Sequence, residues 1–113
     1  MPQYMFTFSY TPEVWAALIR SPENREERVG QILSDAGCKL HGLWYAFGDV
    51  DGFALMEAPD NKTAAALAVA IGSSGAFTKF KTTPLMSQEE ALQALEIAGE
   101  SVHYTRPAEA VPA

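Results

Sequence analysis

Residues 47–53 read Phe47-Gly48-Asp49-Val50-Asp51-Gly52-Phe53, an acidic turn bracketed by two glycines. Aromatic and branched residues precede it in 38–47 and follow it in 53–58, which is typical of half-buried strands. Glycine accepts backbone angles that other residues avoid, and aspartate bonds to its own neighbouring backbone, so the stretch predicts a β-hairpin. Because the loop is longer than the ideal two-residue turn, we expect a bulge or a wider turn.

Two interpretations remain open for Asp49 and Asp51. Aspartate commonly fills turns, so turn chemistry alone explains both residues. Alternatively, they form a pair of carboxylates at the rim of a cavity, which makes them candidates for catalysis. The stretch does not predict calcium binding, because the loop D-x-[DN]-x-[DN]-G needs three such positions and only Asp49-x-Asp51-Gly52 is present.

Composition indicates one globular domain. The chain has 113 residues, of which 48% are hydrophobic and 19% charged, enough for a single core. A formal net charge of −6 argues against binding to nucleic acid or to anionic membrane surfaces, since both attract clustered lysine and arginine. The sequence shows no signal-peptide pattern and no apolar run that spans a bilayer, and the single Cys38 excludes an internal disulfide. We therefore expect a cytoplasmic protein.

Alternating residues predict the first strand over 3–10. One of its faces is small and semi-polar, and the other is aromatic, carrying Tyr4, Phe6, Phe8 and Tyr10. We expect the aromatic face to pack under helices and the Thr7/Ser9 face to look onto a wetter space such as a cavity.

Two helices are predicted before the hairpin. Thr11-Pro12 is a start signal and Ser21-Pro22 repeats it, so we expect the helix to break or kink at the second signal. The charge run over 23–28 is interpreted as a solvated helix face. Gly37 ends the second segment as a left-handed cap.

Helix 62–72 is apolar on all sides, with Lys62 as its only charge. A helix of that kind is usually covered on more than one side, which a partner subunit would provide. Alternatively, its alanines tolerate exposure and need no partner. A fourth strand follows over 76–83 and is expected to end at Pro84.

The last helix opens at a capping box that runs from Ser87 to Glu90. We expect it to close at Gly99 and to bury an apolar stripe formed by Ala91, Leu92, Leu95 and Ala98. A single domain is therefore predicted over 1–100, followed by a tail over 101–113 that is partly disordered.

The order β-α-β-β-α-β plus a terminal helix predicts an α+β, ferredoxin-like split βαβ fold. Right-handed crossovers are expected to place the first and fourth strands in the middle of the sheet. Helices then cover one face only, so the other face needs a cover. A second copy packed sheet to sheet provides it, giving a homodimer with a cavity between sheet and helices.

Several stretches share their pattern with a known family: Ser9-Tyr10-Thr11, Gly37-Cys38-Lys39-Leu40, Ala46-Phe47-Gly48-Asp49-Val50-Asp51, Pro59-Asp60-Asn61, Lys81-Thr82-Thr83-Pro84-Leu85 and Tyr104-Thr105-Arg106-Pro107. The chain thus resembles the GYD domain family, small bacterial proteins named for a Gly-Tyr-Asp signature in this hairpin. Val50 stands where such proteins often carry tyrosine. The family is similar to the wider dimeric α+β barrel group, which includes small monooxygenases, isomerases and amino-acid-sensing domains, and this link implies a fold rather than a chemistry.

The candidate ligand-binding residues are Ser9, His41, Trp44 and Lys81, with Asp49 and Asp51 at the rim. These are the few polar or amphipathic groups that strand alternation aims at one space in an otherwise apolar site. His41 and Trp44 point oppositely in a regular strand, so a bulge is needed for both to contribute. His41 is also a candidate general base, against the simpler interpretation of an ordinary strand residue. Lys81, which shares its face with Lys79, would hold an anionic group unless it lies at a sheet edge.

No metal site and no cofactor are predicted. Cys38 and His41 lie three apart on a strand, hence on opposite faces, and His103 belongs to the tail. Three function classes stay open. The chain is a small-molecule-binding or sensing module, a cofactor-independent enzyme that acts on an aromatic or apolar substrate, or an oligomeric interaction domain.

Overall fold

The structure is a computed structural model that describes residues 1–108. Its central strand β1, Gln3–Tyr10, shows the expected two faces. The aromatic face is buried, since Tyr4, Phe6, Phe8 and Tyr10 are each at most 7% exposed. The Met5, Thr7 and Ser9 face is half-buried and lies on the side of the sheet away from the core.

Helices α1, Pro12–Arg20, and α2, Arg25–Asp35, follow β1 and are separated by the predicted break. The Val14 amide donates to the Thr11 hydroxyl (3.3 Å) and starts α1. The Glu27 amide donates to the Asn24 side chain (3.2 Å) and starts α2. Gly37, with φ of 77°, then turns the chain into the next strand, as predicted.

The hairpin consists of β2, Lys39–Tyr45, and β3, Gly52–Glu57, which pair antiparallel as predicted. Its loop is closed by the Ala46 amide, which donates to the Asp51 carbonyl (2.8 Å). Gly52 is required at the start of β3, because a Cβ there would collide with the Phe8 ring and would lie 2.8 Å from the Trp44 carbonyl.

Helix α3, Asn61–Gly72, begins at Asp60, whose carboxylate accepts from the Thr63 amide (2.8 Å). It buries Ala64 and Leu67 against the core, together with Leu33 of α2. Val69, on its outer side, is 70% exposed. The outer side of α3, formed by Ala65, Ala66, Val69 and Ala70, is therefore exposed within the described chain.

The last strand, β4, Phe77–Leu85, corrects one prediction, since the sheet order is β2-β3-β1-β4. We expected the first and fourth strands in the middle, but β1 and β3 are central and β4 lies at an edge. The crossover from β1 to β2 and the crossover from β3 to β4 are right-handed, and each skips one strand position. Strand β3 therefore lies between β1 and β2, and β4 lies at the edge beside β1. Because an edge strand tolerates proline, β4 also continues through Pro84 instead of ending before it.

Helix α4, Gln88–Ser101, has the predicted capping box but not the predicted packing. Leu92 and Leu95 are 59% and 68% exposed, so the expected burial of the stripe at Ala91, Leu92, Leu95 and Ala98 is wrong. The reason is positional: α2 and α3 supply the helical residues of the core, and no residue of α4 is buried. The helix also passes Gly99, and Val102 to Pro107 follow without regular structure. The rest of the predicted disordered tail, 109–113, lies outside the described residues.

Candidate functional site

A cavity of about 530 Å³ lies between the sheet and the helices. Its sheet side is formed by rings of β1 and β4, and its helix side by α1, α2 and the end of α3. Most of its lining is therefore apolar, which is the character of small-molecule sites in proteins. The aromatic part of the lining consists of Phe6, Phe8, Tyr10, Phe77 and Phe80.

These rings pack against one another. Phe77 lies near the middle of the group, with its centroid 5.4 Å from Tyr10, 5.7 Å from Phe8 and 5.1 Å from Phe80. Tilted and edge-on aromatic pairs at these separations attract each other. The cavity wall is thus a connected aromatic surface on the sheet.

The polar groups of the lining include Glu23 and Arg25, at the junction of α1 and α2. The Arg25 Nη1 donates to the Glu23 Oε1 at 2.7 Å. Burial alone would lower the pKa of the Arg25 guanidinium, but its hydrogen bonds with Glu23 and Tyr10 outweigh burial and raise that pKa. Arg25 is therefore a permanent cation whose charge is balanced by Glu23.

Tyr10 lines the cavity beside these groups, which form its polar end, and Tyr45 packs next to Tyr10 without lining the cavity itself. Their rings lie 6.4 Å apart, and each packs on Trp15, at 5.2 Å and 5.6 Å between centroids. Burial first, and then the hydrogen bond with Tyr10, raise the pKa of the Tyr45 phenol above its ordinary value. The phenol stays protonated at neutral pH and offers a hydrogen-bond donor.

Asp51 does not line the cavity, but its hydrogen bonds hold residues at this end of it. Its Oδ2 accepts from the Tyr10 amide at 2.9 Å and from the Trp15 indole Nε1 at 3.0 Å. Its own amide donates to the Phe8 carbonyl at 2.9 Å. Asp51 thus ties the hairpin to β1 and α1, which is more than turn chemistry, whereas Asp49 is exposed in the turn.

The four ligand-binding residues predicted from sequence share the other face of the sheet, which we call the open face. Ser9 and Lys79 face each other across β1 and β4, as do Thr7 and Lys81, and Trp44 pairs with Phe53. The register shifts between Leu40 and Gly42, which supplies the required bulge and turns His41 to the same side. His41 Nε2 there lies 3.4 Å from Glu57 Oε1.

The open-face group and the cavity are separate places. Ser9, His41, Trp44 and Lys81 are absent from the cavity lining, so a pocket between sheet and helices is not formed around His41 or Lys81. Lys81 also lies on the edge strand β4. The sequence predicted an anion-holding role for Lys81 only if it did not lie at a sheet edge. Sequence reasoning missed Arg25, because it was assigned to a solvated charge run.

Residues 1–108 contain neither a cluster of metal-ligating side chains nor a membrane-spanning helix. No group of three or more histidine, cysteine, aspartate or glutamate residues there is arranged to hold a metal ion. No helix in the same part of the chain combines the length and the hydropathy that a bilayer crossing needs.

Comparisons with known proteins agree with this architecture. The family model for the GYD domain matches residues 4–95. Among solved structures, the crystal structure of FFRP-DM1 superimposes with a TM-score of 0.50 at 13% sequence identity, covering 76% of this chain and 100% of the other. At that identity the likeness shows the fold alone. A search of curated proteins gave no match.

Proposed function

This chain belongs to the GYD domain family, and on that premise we propose that it is a small-molecule-binding module whose site is the cavity between sheet and helices. The observation that carries the proposal is the combination of a 530 Å³ aromatic-lined space with a polar cluster at Arg25. Ligand cavities typically measure about 300–1,000 Å³ and pair an apolar lining with a few polar groups.

The lining defines the class of ligand. Phenylalanine and tyrosine rings offer flat apolar surfaces on which an aromatic ligand can stack. Arg25 is a hydrogen-bond donor within the lining, and Glu23 already balances its charge. The site therefore suits an aromatic molecule that carries a neutral acceptor, such as a carbonyl or phenolic oxygen, better than a strongly anionic one.

The same chemistry favours binding over acid–base catalysis. A general base works best with a pKa near the operating pH. The pKa values of Arg25 and Tyr45 are both raised, so neither group accepts a proton at neutral pH. Asp51 is engaged by two donors, and His41 and Asp49 lie away from the cavity lining.

A blocking variant tests the proposal. Ala17 lines the cavity on α1, whereas its neighbour Ala16 does not, and both are exposed to solvent. Fluorescence titration with 1-naphthol should give saturable binding, and Ala17→Phe should weaken it at least tenfold. Ala16→Phe is the matched control and should leave the affinity unchanged.

Two results would contradict the proposal. Equal affinity in Ala17→Phe and wild type would show that the probe binds elsewhere. Absence of saturable binding by 1-naphthol and by a panel of aromatic ketones would favour an interaction domain whose cavity side chains serve only packing.

For the open face we propose a different role, burial against a second copy in a homodimer. Trp44 and Phe53 are 53% and 36% exposed there. Exposed apolar groups gathered on one side of a sheet commonly mark a protein interface. Ser9, His41 and Lys81 would then lie between the two sheets, where they remain candidates for a second polar ligand contact.

A further inference from the structure

The last helix, α4, has the sequence of a packed amphipathic helix but an exposed position in the structure. It is well capped at Ser87, yet every residue of α4 is exposed except Ala91, which is half-buried. An isolated helix of fewer than about 12–15 residues is marginal in water without tertiary packing. The apolar stripe of α4, defined by Ala91, Leu92, Leu95 and Ala98, therefore calls for a cover that the described chain does not supply.

A second uncovered surface lies in the same chain. A slot of about 340 Å³ runs between α3 and the edge strand β4. Phe77, Phe80 and Ala68 contribute apolar lining, and Val69 is 70% exposed beside them. Because β4 lies at the sheet edge, the slot also adjoins a strand that natural proteins usually cover or protect.

The two surfaces are complementary in charge. Helix α4 carries Glu89, Glu90, Glu96 and Glu100 and contains no lysine, arginine or histidine. Lys79 is the charged residue that lines the slot. The helix is thus acidic and amphipathic, and the slot combines apolar side chains with two threonines, Thr78 and Thr82, and one lysine. Opposite charges on two apolar surfaces favour their contact and help to set its orientation.

We propose that α4 of one copy docks in the α3/β4 slot of a second copy, with Leu92 and Leu95 as its anchors. The arrangement follows the helix-in-groove mode, in which residues at i and i+3 enter an apolar groove. If each copy gives and receives one helix, the contact is two-fold and closes on a dimer. This contact lies beside the open face. Phe77 and Phe80 line both the slot and the cavity, so the two proposals are separated by their tests, which are self-association for the docked helix and ligand affinity for the cavity.

Helix α4 itself offers a matched control. Ile97 is 59% exposed, as Leu92 is, but it lies about 140–160° around the helix from Leu92 and Leu95. Sedimentation equilibrium should show that Leu92→Ser combined with Leu95→Ser raises the dimer dissociation constant at least tenfold. Ile97→Ser should change it less than twofold. Wild-type dimerisation in the double variant, or equal losses in both proteins, would overturn the proposal.

Cross-linking identifies the docking surface and the copy that provides it. Copies with Leu95→Cys are mixed with copies with Val69→Cys and oxidised, and a disulfide-linked dimer of the two is expected. Thr7→Cys, on the open face, replaces Val69→Cys as the control and should give much less product. A bond that forms only when Leu95→Cys and Val69→Cys are in one chain would mean that α4 folds onto its own slot, and would overturn docking between copies.

Discussion

At the scale of single residues, Asp51 is the most consequential side chain of the hairpin. One carboxylate oxygen holds the Tyr10 amide and the Trp15 indole, so three separate segments depend on it. Hydrogen bonds to charged groups contribute about 1.5–3 kcal/mol. We expect Asp51→Ala to lower the free energy of unfolding by about that amount in urea titrations.

The neighbouring aspartate is the control for this substitution. Asp49 is exposed in the same turn, and Asp49→Ala should change stability by no more than about 0.5 kcal/mol. Similar losses in the two variants would mean that turn chemistry, and not the link to Tyr10 and Trp15, accounts for Asp51.

Tyr45 makes stability depend on pH in the alkaline range. Its folded-state pKa is raised above the ordinary value of 10.0, mainly by burial. Above pH 10 the unfolded chain releases this proton while the folded chain retains it, so the stabilisation present below pH 10 is lost as pH rises. The free energy of unfolding should therefore fall more steeply above pH 10 in wild type than in Tyr45→Phe.

Denaturation measured between pH 8 and 11 checks this expectation. Tyr104→Phe serves as the control, because the Tyr104 side chain is 79% exposed. Parallel pH profiles for wild type and Tyr45→Phe would show that the phenol at the polar end of the cavity does not retain its proton on folding.

At the scale of elements, the hairpin depends on the space at Gly52. An added Cβ would overlap the Phe8 ring, and overpacking of this kind costs about 1–3 kcal/mol. We expect Gly52→Ala to destabilise the protein by that amount in urea titrations. Gly48→Ala, where a Cβ meets nothing within 4 Å, should be nearly neutral. A neutral Gly52→Ala would contradict the close approach of β1 and β3.

Local signals predicted the elements well because they act over a few residues. The alternation in β1, the cap at Thr11 and the capping box at Ser87 each involve neighbours in sequence. The position of β4 and the exposure of α4 were predicted wrongly, since both depend on which surface is already occupied. Amphipathic pattern shows that a helix has an apolar side, but not which molecule covers it.

The candidate cavity shows the same division. The aromatic face of β1 could be predicted from its four alternating rings, but as a face packed under helices, while the sequence suggested a cavity on the Thr7/Ser9 face. The polar end of the cavity could not be predicted, because Arg25 and Tyr45 meet only through the packing of α2 beside β2. In sequence Arg25 is one charge in a run of five over 23–28, and no local signal distinguishes it from Arg28. In the structure Arg28 lies on the surface, where its Nη2 is 3.6 Å from Glu23 Oε2.

At the scale of the whole molecule, the chain is more extended than a compact domain of its size. Its radius of gyration is 18.7 Å and its longest dimension 63 Å, whereas a compact domain of 100 residues has a radius of gyration of about 13 Å. Apolar groups are also exposed on α4, on the α3/β4 slot and on the open face. Association of two copies is the simplest way to cover all three surfaces.

The open face therefore provides the last prediction, which concerns assembly. At micromolar concentration, sedimentation should show a species of twice the 12.3 kDa chain mass. Trp44→Ser removes a large apolar group from the sheet surface and should shift the equilibrium towards single chains. Phe47→Ser is the control, because Phe47 is fully exposed in the hairpin turn and lies outside the paired strands. A wild-type protein found only at 12.3 kDa would contradict the dimer. Equal effects of the two substitutions would show that general surface hydrophobicity, and not the open face, drives the association.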